Sequence, residues 1–155
     1  MLKVKYFLFL FSILFLISCK KTSKVSIENF EKWINENNIS KNYRAIIIIP
    51  NSGCEGCISN AERFVIDNFE KSDDVKYVFT EINSVKILKL KLGKISTNSN
   101  VIIDENNSLN YASNAKNAFY PSILFIKDNK ISDVRYISPK EPNSLSELEK
   151  YLATK

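Results

Sequence analysis

The stretch Ile46-Ile47-Ile48-Ile49-Pro50-Asn51-Ser52-Gly53-Cys54-Glu55-Gly56-Cys57 decides the fold of this chain. Four consecutive β-branched apolar residues read as a strand buried on both faces, as in a sheet covered by helices. Pro50, Asn51, Ser52 and Gly53 are turn formers and N-cap candidates. Beyond them, Cys57, Ala61, Phe64, Val65, Asn68 and Phe69 recur on one face of a helical pattern. The spacing therefore predicts strand, turn and helix, with Cys54 at the helix N-terminus and Cys57 one turn further in.

That placement has chemical consequences. Unpaired backbone N–H groups and the positive end of the helix dipole favour a thiolate at Cys54. An ordinary cysteine titrates near pH 8.5, and helix N-termini in Cys-x-x-Cys settings lower that by up to several units. Cys57 faces inward, where a thiol stays protonated. Two cysteines at i and i+3 can close into a disulfide, so the pair reads as a redox couple in which one sulfur attacks and the other resolves. The alternative is a permanent local disulfide, although so short a loop stabilises little.

Outward towards the N-terminus, Met1 to Lys5 is short and positive, and Tyr6 to Ile17 is apolar apart from Ser12. Twelve such residues are too few to span a bilayer comfortably, which makes residues 1–18 a signal peptide. The segment ends in Leu16-Ile17-Ser18-Cys19, which resembles the lipobox of bacterial lipoproteins. The resemblance implies that Cys19 becomes the lipidated first residue of the mature chain. Lys20 in place of Asp after it implies the periplasmic side of the outer membrane. An ordinary secretory signal with Cys19 as a stray thiol is the alternative. Residues 19–25 then form a polar tether, and residues 26–155 a single domain.

With Cys19 acylated, Cys54 and Cys57 are the only cysteines left, and the chain contains no His. A four-ligand Cys/His zinc site is out of reach within one chain, and neither a metal nor a cofactor is expected. The net charge of +5 falls to +3 once Lys3 and Lys5 are removed. A balance that mild does not point to nucleic acid.

The remaining chain reads in order as follows. Ser26 caps a helix whose apolar face is Ile27, Phe30, Trp33 and Ile34, ended by Asn37-Asn38. Arg44 to Ile49 is a strand, and Cys54 to about Glu70 a helix. Val75 to Thr80 is a second strand. Ser84 to Leu92 fits both periods, and Ser84 as cap with Gly93 as stop favours a helix. Val101 to Asp104 is a short strand before the acidic turn Glu105-Asn106-Asn107. Ser122 to Ile126 and Ile131 to Ile137 are strands joined by a hairpin turn over Lys127 to Lys130. Ser144 and Glu147 stand in capping-box spacing at the head of a last helix that carries Leu145, Leu148 and Leu152. The fold class is α/β, with a mixed central sheet flanked by helices.

In this order of elements the chain resembles the thioredoxin superfamily. The resemblance is carried by the strand–turn–Cys54-x-x-Cys57–helix unit and by Tyr120-Pro121-Ser122-Ile123-Leu124-Phe125-Ile126 with the hairpin that follows. It covers nearly all of the chain after the tether. It implies a thioredoxin-like fold and a membrane-anchored thiol–disulfide oxidoreductase acting on exported proteins. Its partners would be protein dithiols and disulfides of the cell envelope, together with a redox partner protein. The strand at Val101 to Asp104 is similar to an element of the redoxin branch, which includes membrane-tethered thiol reductases. In the family a cis-proline lies against the disulfide. Pro121, about sixty residues after the pair, stands in its place, and a trans proline in an ordinary loop is the alternative. The resemblance also implies that the Tyr120 backbone receives the partner strand, although plain packing is the alternative for that side chain.

The chain departs from the family at several positions. Gly53 stands where many thioredoxins have Trp, and Gly56 replaces the common Pro. The site set implied by the resemblance is Cys54, Cys57 and Pro121 for catalysis, with Tyr120, Gly53 and Glu55 for substrate binding. Glu55 is similar to the Glu of the cytochrome-maturation reductases. It either opposes the helix dipole and raises the Cys54 pKa or is a solvated first-turn carboxylate. Glu81 is either a proton relay near the pair or a surface carboxylate. Two further function classes stand beside the oxidoreductase. One is a thioredoxin-fold interaction protein without turnover. The other is a Cu(I)-binding module, since Gly53 to Cys57 is also similar to copper chaperones, although Ser52 stands where those domains carry Met.

Overall fold

The computed structural model describes residues 22–154. The proposed signal segment and Cys19 lie outside the described residues. A mixed five-stranded sheet runs through the centre in the order β3-β2-β1-β4-β5. The strands are β1 (Ala45–Pro50), β2 (Val75–Thr80), β3 (Val101–Ile103), β4 (Ser122–Lys127) and β5 (Lys130–Tyr136). β1 pairs parallel with β2, which pairs parallel with β3. On its other edge β1 pairs antiparallel with β4, Ala45 opposite Phe125 and Ile48 opposite Ser122. The β4–β5 hairpin turns through Asp128 and Asn129, both with positive φ (52° and 59°), the turn geometry that matches the twist of paired strands.

β1 is buried along its whole length. Ile47 and Ile49 belong to one core cluster with Ala61, Phe64, Val65, Leu88 and Leu148. Ile46 and Ile48 face the opposite cluster of Phe30, Trp33, Ile34, Leu109 and Tyr111. The Ile run thus separates two cores, because successive side chains of a strand point to opposite faces. Helices cover both faces. α1 (Thr22–Glu36) and the short α4 (Tyr111–Asn114) lie over one face. α2 (Glu55–Asn68), α3 (Val85–Leu92) and α5 (Ser144–Ala153) lie over the other.

Most element boundaries agree with the sequence pattern to within one or two residues, and four features differ. α1 begins at Thr22, so it includes residues assigned to the tether, and Ser26 is buried within it rather than capping it. The N-cap of α2 is Cys54 itself, with no side-chain cap bond, so none of residues 50–53 holds that position. The Ser144–Glu147 capping box is not formed. Asn143 is the N-cap and Ser144 is buried. The 3-10 turn Gly93–Thr97 and α4 were not anticipated. By contrast, the Ser84 hydroxyl accepts from the Ile87 N–H (3.4 Å) and Gly93 ends α3, as the sequence predicts. No helix among the described residues is long and apolar enough to cross a membrane.

Candidate functional site

Cys54 and Cys57 form a disulfide, with Cα atoms 5.2 Å apart, where the turn after β1 meets α2. Cys54 is extended (φ −74°, ψ 96°), and its carbonyl accepts the first helical bond, from the Ile58 N–H at 2.9 Å. Cys54 is half-buried, while Cys57 is only 6% exposed. The two sulfurs are therefore inequivalent. Cys54 is the more exposed of the two, and Cys57 lies behind it in the first turn of α2. The orphan N–H groups of the first turn of α2 point towards this end, where a thiolate is favoured.

The turn before Cys54 is fixed on two sides. The Cys54 N–H donates to the Phe119 carbonyl at 2.8 Å. Gly53 has φ +130°, and a Cβ there would lie 2.5 Å from the Phe119 oxygen, so only glycine permits this approach. On the other side, Glu81 accepts from the Ser52 hydroxyl (3.2 Å) and from the Ala112 N–H (2.8 Å). Glu81 itself adopts φ 53°. It is a clamp between the cysteine turn and the start of α4, a role assigned by neither reading of the sequence.

Pro121 and Tyr120 depart from expectation. No cis peptide bond occurs among the described residues, so the Tyr120–Pro121 bond is trans, which corrects the cis assignment. For an X-Pro bond trans is the favoured state by about 0.5–1 kcal/mol, and the backbone groups of Tyr120 and Pro121 find partners within the chain, whereas the buried Ser122 hydroxyl beside them has none among the described residues. The Tyr120 N–H donates to the Asn117 carbonyl (3.0 Å), and the Tyr120 carbonyl accepts from the Tyr111 hydroxyl (2.6 Å). Both backbone groups that the resemblance would offer to a partner strand are thus occupied within the chain. The Pro121 carbonyl accepts from the Ile137 N–H at 2.8 Å. Tyr111 is fully buried, and burial pushes its phenol pKa far up, so it stays a neutral donor. A fully buried Tyr carries no sequence signal beyond its aromatic character, and Tyr111 was missed.

A cleft of about 400 Å³ opens beside the pair. Cys54, Gly56, Cys57 and Asn60 form one wall, and the loop after β5, with Ile137, Ser138, Pro139, Glu141 and Pro142, forms the other. That loop is held by Glu141, whose carboxylate accepts from the Tyr136 N–H (2.9 Å) and whose N–H donates to the Ser138 carbonyl (3.0 Å). Gly53, Glu55, Tyr120 and Pro121 are not part of the cleft lining. Glu55 is exposed in the first turn of α2. The cleft walls are mainly apolar, and both cysteines line it.

Two buried carboxylates elsewhere have structural partners. Glu62, on α2, is 4% exposed and paired with Lys91 of α3. Asp104, after β3, is 8% exposed and accepts from the Ser108 N–H and hydroxyl, the Leu109 N–H and the Thr80 hydroxyl. Burial alone would raise its pKa. The hydrogen bonds outweigh burial and hold it below the usual carboxylate value. Among the described residues no group of three or more Cys, His, Asp or Glu is placed to hold a metal ion. Comparison with family models, with curated proteins and with solved structures gives no match to this chain.

Proposed function

We propose that the chain is a thiol–disulfide oxidoreductase with a thioredoxin-like fold, held at a membrane through lipid on Cys19. The observation that carries the redox reading is the asymmetric pair, with Cys54 half-buried at the head of α2 and Cys57 buried one turn in. The pair lies at the exit of a central strand buried on both faces. The sheet order β3-β2-β1-β4-β5, with parallel strands on one side of β1 and an antiparallel hairpin on the other, supports the fold assignment. This reading makes no use of a cis-proline.

In the reducing direction the Cys54 thiolate attacks one sulfur of a substrate disulfide. A mixed disulfide forms, and the other substrate sulfur leaves as a thiolate. Cys57, deprotonated as it reacts, attacks Cys54 and releases the second substrate thiolate. Two electrons pass to the substrate, and the Cys54–Cys57 disulfide is regenerated. The reverse sequence oxidises a substrate dithiol. The N-terminus of α2 favours the Cys54 thiolate, which is the attacking group in the first reducing step and the leaving group when, in the oxidising direction, the second substrate thiolate resolves the mixed disulfide.

The test is turnover. With a dithiol as electron donor, the purified domain accelerates reduction of a protein disulfide, and Cys54→Ser abolishes the acceleration. No acceleration by the native chain overturns the reading in favour of a structural disulfide. The anchor is tested separately by mass: the mature protein carries acyl chains on Cys19. A free Cys19 thiol in mature protein contradicts it.

A further inference from the structure

The N-terminal helix enters the fold at the disulfide end of the sheet. The Ser26 hydroxyl, in the second turn of α1, accepts from the Lys116 N–H at 3.3 Å. Lys116 begins the segment that leads through Phe119, whose carbonyl holds the Cys54 N–H at 2.8 Å. Further along α1, the Glu31 carboxylate accepts from the Ile131 N–H (2.7 Å), beside the Lys127–Lys130 turn. The strand register puts that turn beyond Ala45, at the end of β1 remote from Cys54. α1 therefore runs from the disulfide end of the sheet towards the hairpin end, and its first residue, Thr22, lies at the disulfide end.

Three peptide links join Cys19 to Thr22, a reach of about 10 Å at full extension. A lipid on Cys19 would hold the start of α1 close to the headgroups, and with it the end of the domain that carries Cys54. Phe119, 73% exposed, stands at this same end. The opposite end, with the Lys127–Lys130 turn, lies a strand length away, roughly 20 Å.

From this we infer that the redox pair faces the membrane that anchors the chain, and that its partner presents the reacting thiols or disulfide at headgroup level, as an integral membrane protein does. Freely diffusing exported proteins reach the pair less readily. This inference rests on the anchor and the redox chemistry proposed above and adds an orientation and a partner class. The partner's cysteines need lie no further from the bilayer surface than the short N-terminal link allows.

The test uses the mature chain coupled through Cys19 to a maleimide lipid in phosphatidylcholine vesicles, with Cys54–Cys57 oxidised during coupling and reduced afterwards. The probe is a pyridyl disulfide carried on a lipid headgroup, compared with a soluble pyridyl disulfide. Each reaction converts the Cys54/Cys57 dithiol to its disulfide and the probe to a thiol and pyridinethione, which is followed by absorbance. Inserting a flexible Gly/Ser segment of about 30 residues between Lys21 and Thr22 should slow the reaction with the lipid-borne probe at least about fivefold, because effective concentration falls with linker length. The soluble rate should stay unchanged. A pair facing away gives the opposite sign, since a longer link lets it reach the surface, and an unchanged or faster lipid-borne rate overturns the inference. Reaction with neither probe overturns the redox reading and the partner assignment with it.

Orientation is also read without turnover. Energy transfer to a dansyl-headgroup lipid should be at least about twofold stronger from Phe119→Trp than from Lys127→Trp, with Trp33 common to both proteins. Equal or reversed transfer shows that the disulfide end does not face the bilayer.

Discussion

Cys54 and Phe119 are tied backbone to backbone, the N–H of one donating to the carbonyl of the other at 2.8 Å. The contact sets the position of Cys54, and Gly53 makes it possible. A methyl group at position 53 would meet the Phe119 oxygen at 2.5 Å, on a residue whose φ is +130°. Gly53→Ala is therefore expected to cost at least about 2 kcal/mol of stability, from backbone strain and displacement of the 117–120 segment. Denaturant unfolding of the oxidised protein measures it. By contrast Gly56→Ala has open space around the new Cβ, sits in the first turn of a helix, and should be neutral or slightly stabilising. Equal loss in both variants would show that the Phe119 contact does not position the turn.

The difference in exposure between Cys54 and Cys57 predicts their roles. In the reduced protein, an alkylating agent should modify Cys54 well before Cys57. Cys57→Ser should accumulate mixed disulfides with partner proteins, because the resolving thiol is gone. Cys54→Ser should accumulate few, since the remaining thiol is buried at 6% exposure. Trapping by both variants to the same extent contradicts the assigned order of attack.

Glu81 ties the cysteine turn to α4 through Ser52 and Ala112. Glu81→Ala loses both hydrogen bonds and should cost about 1–2 kcal/mol. Glu81→Gln keeps an amide oxygen for the Ala112 N–H and should lie nearer the native protein. Thermal midpoints of the two variants separate these outcomes. A Gln variant as unstable as the Ala variant would mean that the charge, rather than the hydrogen-bond geometry, holds the turn.

These contacts mark the limit of what the sequence discloses. Ile46 to Ile49, Val75 to Thr80, and Ser84 with Gly93 were legible because their patterns are local: an unbroken apolar run, a compact strand, a cap and a stop. The placement of Cys54 and Cys57 followed from the same local logic. Features set by tertiary contact were not legible. The occupied Tyr120 backbone depends on Tyr111 and Asn117, and α4 is only four residues long, too short to show a period. The start of α1 before Ser26 and the unformed Ser144–Glu147 box have a shared cause: both serines are buried against the rest of the fold instead of capping.

Asp104 predicts the acid side of the stability profile. Its carboxylate is held below the ordinary value, near 3.9 for Asp, by four hydrogen bonds that outweigh its burial. A lowered folded-state pKa contributes stability that is fully present above the unfolded value and lost as pH falls through the folded one. The native protein should therefore lose stability below about pH 4. Asp104→Asn should be less stable at pH 7 by about 1–3 kcal/mol and show a flatter decline towards pH 2. Parallel pH profiles for the two proteins would contradict the charge-assisted network.

The central claim, that Cys54 and Cys57 exchange electrons with partners, is tested most directly by the equilibrium reduction potential of the pair. Titration against defined thiol–disulfide buffers, with the oxidised fraction counted by mass after alkylation, gives the value. Redox-active pairs of this kind lie roughly between −120 and −270 mV, whereas structural disulfides of exported proteins lie below about −300 mV. The account predicts a reversible two-electron titration with a midpoint in the first range. A pair that stays oxidised in buffers poised below −300 mV would identify a structural staple and contradict it.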